Sequence, residues 1–70
     1  MPIVNITLYS GRTTEQKSKI AKAVTKTISE WAGVNDSDTI VLFHDIEKTN
    51  WANAGNLVSE EKNYNIIIFM

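Results

Sequence analysis

The stretch PIVNITLYSGRTTEQKSKIAKAVTKTISEWA, residues 2–32, followed by TIVLFHD, residues 39–45, decides the fold. In residues 2–9, Pro2, Val4, Ile6 and Leu8 point one way, and Ile3, Asn5, Thr7 and Tyr9 the other, as in a β-strand. A proline is tolerated at the first strand position, where its missing N–H does least harm. Ser10-Gly11 break the pattern. Thr13 and Gln16 have the spacing of a capping box, and Glu15 suits the positive end of a helix. Ile20, Ala23, Val24, Thr27, Ile28 and Trp31 recur at helical spacing as one apolar stripe, with Lys19, Lys22 and Lys26 opposite. Gly33 is suited to end the helix, which predicts a helix over 14–32. Residues 39–45 are β-branched and apolar, and their near-continuous apolarity predicts a strand buried on both faces. A strand, a long helix and a strand imply a right-handed crossover with parallel strands. The fold class is therefore α+β, built on a single β-α-β unit.

Outward from that unit the chain is less regular. Asn35-Asp36-Ser37-Asp38 is a turn cluster, and residues 46–56 read as an irregular loop. Leu57 and Val58 suit a short strand, and Ser59–Lys62 is polar. The end, YNIIIFM at 64–70, is apolar and carries no side-chain charge. Such a β-prone segment must be covered to avoid aggregation. Either another subunit covers it, which is the favoured reading, or it packs on its own chain as a last strand.

Size sharpens the same point. The chain has 70 residues, so residues 1–70 are expected to form a single domain. Burying about 4,000 Å² of apolar area contributes about 100 kcal/mol, and ordering the chain costs about 105 kcal/mol. A lone copy is marginal, and small proteins usually gain stability from disulfides, a metal or partner subunits. There is no cysteine and one histidine, which removes disulfides, thiolate zinc sites and imidazole-rich sites. Self-association remains. The net charge of −1 gives no global field toward nucleic acid or membrane. Residues 1–11 have no basic n-region of a signal peptide, and no apolar run approaches ~20 residues. The expectation is a soluble, cytoplasmic protein.

Several constellations can be weighed for chemistry. His44 and Asp45 point to opposite faces of one strand and cannot share an ion; a hydrogen-bonded histidine is the plainer reading. Asp36, Asp38 and Glu47 match part of a calcium-loop spacing, but Val41 stands where that loop needs glycine. The helix lysines read as a solvated face, without the aromatic interleaving or glycine-rich loop of a nucleic-acid or phosphate site. Arg12 is the only arginine. It follows the first strand, where α/β units tend to place function, and its planar fork suits a carboxylate. Its plainer reading is an exposed loop charge. Met1-Pro2 is a start that is commonly trimmed. Removal of Met1 would leave a rigid secondary amine, able to bind and release a proton. An α-amino group titrates around 8 in water, and an apolar pocket lowers that value toward a useful base.

Together these residues resemble the tautomerase superfamily, specifically the small 4-oxalocrotonate tautomerase type. The resemblance covers most of the chain. It rests on Met1-Pro2 before an apolar strand, on Gly11-Arg12-Thr13-Thr14-Glu15-Gln16-Lys17, and on Asn50-Trp51-Ala52-Asn53-Ala54-Gly55 after the second strand. It implies a β-α-β fold with a short C-terminal hairpin, strands pairing across subunits into a four-stranded sheet, and a homo-oligomer, as a dimer or a hexamer of three dimers. It implies a catalytic Pro2 amine that shuttles a proton between an enol oxygen and a carbon of a keto acid. Arg12 would bind a substrate carboxylate, often from a neighbouring subunit. Trp51 would wall the pocket and help to keep the amine neutral. No metal or organic cofactor is implied.

Two departures stand out. Ile40 occupies the position where many members carry a second arginine, and would line the pocket as a spectator. Weaker activity on the usual dienol diacid, or a different substrate, is expected. Asn53-Ala54 replaces an apolar residue and glycine, which makes the loop stiffer and more polar. The leading expectation is a keto–enol tautomerase. Its rivals are a non-enzymatic oligomeric module of the same fold and a diverged activity such as dehalogenation or decarboxylation.

Overall fold

The computed structural model describes residues 1–60, so the apolar tail at 64–70 lies outside the described residues. Strand β1 is Ile3–Tyr9, helix α1 is Thr14–Ala32 and strand β2 is Ile40–Ile46. β1 and β2 pair in parallel, with Ile3 opposite Ile40 and Tyr9 opposite Ile46. The expected β-α-β unit is present, and the helix bounds agree with those read from its caps. Thr13 accepts from the Gln16 N–H at 3.1 Å, and the Gln16 side chain accepts from the Thr13 N–H at 2.9 Å. Gly33 closes the helix in the left-handed region at φ 70°, a conformation that glycine adopts without a Cβ clash.

The strand alternation determines what the helix covers. Val4, Ile6 and Leu8 are half-buried, as are Val41 and Phe43 opposite Val4 and Ile6. From α1, Ile20, Val24 and Ile28 are half-buried. At the far end of this face, Lys17 forms an ion pair with Asp45 and lies over the Phe43 ring. The opposite face, carrying Ile3, Asn5, Thr7, Ile40, Leu42 and His44, is exposed in this single chain. β2 is thus covered on one face among the described residues, where its composition predicts burial on both.

Trp31 departs from its place on the expected stripe and is 85% exposed. The cause is a mismatch of lengths. With Lys17 fixed against Asp45, the helix runs about 21 Å to Trp31, while β2 runs only about 17 Å back to Ile40. The last helical turn overhangs the strand. Ala23 and Thr27 are exposed too, and Ala21 and Thr25 take the half-buried positions instead.

The loop after β2 is more ordered than its composition suggests. A 3₁₀ turn at Lys48–Asn50 leads to a hairpin of β3, Ala52–Asn53, with β4, Asn56–Leu57. The two-residue turn between them has positive φ at both positions, 51° at Ala54 and 82° at Gly55, as a type I′ hairpin requires. Left-handed backbone costs a residue with a Cβ about 1–2 kcal/mol. Glycine removes that strain but gives back about 0.5–1 kcal/mol through the freer unfolded chain. Ala54→Gly is therefore expected to stabilise the protein by about 0.5–1 kcal/mol, seen as a raised thermal midpoint. An unchanged or lowered midpoint would contradict a strained turn.

Candidate active site

Pro2 sits at the N-terminal end of the β-sheet. Its carbonyl accepts the Ile40 N–H at 3.0 Å, which ties the residue before β1 to the first residue of β2. Pro2 is half-buried, whereas Met1 is 84% exposed. Around this end the open face is apolar, with Ile3 56% exposed, Ile40 37% and Leu42 44%. No lysine, arginine or carboxylate side chain comes from the open-face positions of β1 or β2. Midway along that face, His44 Nε2 lies 3.1 Å from Asn5 Oδ1, so the histidine has a side-chain partner.

Arg12 sits at the other end. The Ser10 N–H donates to the Ile46 carbonyl at 3.0 Å, which pins the chain just before Gly11 and Arg12. Thr13 then begins the helix through its capping box. The Lys17–Asp45 ion pair fastens the first helical turns to the end of β2. Arg12 is exposed and forms no ion pair among the described residues.

Trp51 is at the same end as Arg12. Its ring meets Tyr9 edge-on, with centroids 4.4 Å apart and planes 63° from parallel. Its carbonyl accepts the Val58 N–H at 2.8 Å, so the hairpin holds the ring in place. Lys48 Nζ lies 5.6 Å from the centroid of the Tyr9 ring. Tyr9 and Lys48 have no role in the sequence reading. The parity of Tyr9 with Ile3, Asn5 and Thr7 signals its face, but only the fold returns Lys48 and Trp51 onto it.

The expected site residues therefore fall into two groups. Pro2 and Ile40 are neighbours, while Arg12 and Trp51 share the opposite end. From Pro2 to Tyr9 the strand runs about 23 Å, and Arg12 lies beyond Tyr9. One end can offer an amine on apolar ground once Met1 is removed. The other can offer a permanent cation beside an aromatic wall. A shallow groove between Ala21, Lys22, Thr25, Lys26 and Asp36 includes none of these residues. Among the described residues no cluster of histidine, cysteine and acidic side chains could hold a metal ion, and no helix is long and apolar enough to cross a membrane.

The β-α-β unit with its C-terminal hairpin is the fold of a small tautomerase. The family model described as tautomerase enzyme matches residues 2–61, and the chain belongs to this family of isomerases. Its likenesses are to the 4-oxalocrotonate tautomerase type. A probable tautomerase of Ralstonia nicotianae is 34% identical over 61 residues, 87% of this chain and 94% of the relative. A 2-hydroxymuconate tautomerase of Bacillus subtilis is 32% identical over 60 residues, 86% of this chain and 97% of the relative. A heterohexameric 4-oxalocrotonate tautomerase of Chloroflexus aurantiacus aligns with a TM-score of 0.80 at 27% identity, covering 86% of this chain and 97% of that one.

Proposed function

We propose that this protein is a cofactor-independent keto–enol tautomerase of small enol or keto carboxylic acids, working as a homo-oligomer. The single observation that carries the reading is the separation of Pro2 from Arg12. The chain has both residues to which the resemblance assigns the chemistry, yet they lie at opposite ends of a strand about 23 Å long. A small acid cannot touch both within one chain. A neighbouring subunit can bring its Arg12 and Trp51 to this Pro2. The open sheet face, with Ile3 and Leu42 exposed, is suited to be covered by that neighbour, with Ile40 at the Pro2 end left to line the pocket. A four-stranded sheet formed by two chains, and three such dimers in a hexamer, is the assembly we favour.

The proposed steps conserve atoms and electrons. Arg12 of one subunit holds the substrate carboxylate with paired, charge-assisted hydrogen bonds. The free Pro2 amine of another takes the enol O–H proton. The O–H electron pair forms the carbonyl, the C=C pair shifts, and a carbon takes a proton back from the prolinium. Trp51 excludes water, which strengthens these interactions. Ile40 lines the pocket without taking part in proton transfer.

The test uses protein whose loss of Met1 has been confirmed by intact mass. Ketonisation of 2-hydroxymuconate and phenylenolpyruvate is followed by absorbance, and light scattering at micromolar concentration reports the assembly. Catalysis by an oligomer is expected. An oligomer inactive on several enol acids would favour the non-enzymatic module, and an active monomer would refute the shared site.

A further inference from the structure

The open face of the sheet has a polarity along its length. At the Pro2 end it is built from Ile3, Ile40 and Leu42, all exposed and all apolar. The middle is neutral and polar, with Thr7 and the Asn5–His44 hydrogen bond. At the other end stand Tyr9, Trp51 and Lys48, next to the loop that bears Arg12. Among the described residues, the cations near this face, Arg12 and Lys48, are thus at one end. Lys17 is on the helix side and is paired with Asp45.

We infer that the substrate is a monoanionic enol acid. Its single carboxylate is held at an Arg12 end, with Lys48 as a second cation nearby, and its uncharged apolar part lies against Ile40 beside Pro2. This rests on the functional reading above and names the substrate class for that site. The physical reason is the cost of an unpaired charge. A second carboxylate laid against Ile40 would give up water and meet no lysine or arginine side chain at the open-face positions of β1 and β2. The Ile40 N–H at that end is already used by the Pro2 carbonyl. An aryl or alkyl group in the same place gains from leaving water.

The experiment compares kcat/KM for phenylenolpyruvate, which has one carboxylate and an aryl end, with that for 2-hydroxymuconate, which has two carboxylates. Met1-free protein is used, at fixed pH and ionic strength. The monoacid is expected to be preferred by about tenfold or more. Ile40→Arg, which places a cation on the apolar end, is expected to move the ratio toward the diacid by about tenfold or more. Circular dichroism checks that this variant folds, and Ile40→Lys is a second variant of the same sign. Equal rates, or a preference for the diacid by the unmodified protein, would overturn the inference while leaving the tautomerase reading intact. Failure of both substrates to react would overturn that reading and this inference with it.

Discussion

A chain that keeps Met1 is expected to be about 10²- to 10⁴-fold slower in enol-acid ketonisation than a chain that begins at Pro2. With Met1 in place, the Pro2 nitrogen is an amide. Its lone pair is delocalised into the Met1 carbonyl and does not accept protons near neutral pH. Without Met1 the same atom is a secondary amine. The structure makes the comparison clean, because Met1 contributes little to the fold. It is 84% exposed, β1 begins at Ile3, and the Ile40 N–H bonds to the carbonyl of Pro2 rather than to Met1. A chain of 70 residues is short enough for both forms to be made by chemical synthesis. They should show the same circular dichroism and the same size by light scattering, and differ in kcat. Equal activity of the two forms would eliminate Pro2 as the base.

Arg12→Gln should raise KM for an enol acid by about 10- to 100-fold, since a charge-assisted bond to the carboxylate is lost. Stability should change little, because Arg12 is exposed and has no ion pair among the described residues. A mixing experiment then addresses the shared site. Pro2→Ala and Arg12→Gln chains are unfolded together in equal amounts and refolded. If each site takes Pro2 from one subunit and Arg12 from another, random assortment restores about a quarter of the sites. If both residues serve a site within one chain, no intact site can form, and the mixture stays at the average of the two variants. That outcome would overturn the proposed assembly of the site.

Local signals made much of the fold readable. Thr13 and Gln16 marked the start of α1 and Gly33 its end, because a cap is made by residues within a turn of each other. Strand alternation told Ile3, Asn5 and Thr7 from Val4, Ile6 and Leu8, since the pleat turns side chains to opposite faces regardless of context. The position of Trp31 was not readable. Helical spacing puts it on the apolar stripe, but whether anything lies beneath it depends on how far β2 extends. The hairpin at 52–57 was expected from the family resemblance but not from residue patterning, because Ala54 sits at φ 51°, a turn position usually taken by asparagine, aspartate or glycine.

The candidate site divides the same way. The sequence alone determined the chemical identities: a proline next to the initiating methionine, a lone arginine after the first strand, and an isoleucine where the resemblance places a second arginine. These are properties of residue type and neighbour, and need no coordinates. Only the tertiary structure decided the distances. The parallel pairing of β1 with β2 brings Ile40 to Pro2, and the return of the hairpin lays Trp51 and Lys48 on Tyr9. Both follow from contacts between segments far apart in the chain, which residue spacing does not encode. The same pairing carries Arg12 to the far end of the strand from Pro2, because an extended chain advances ~3.3 Å with every residue.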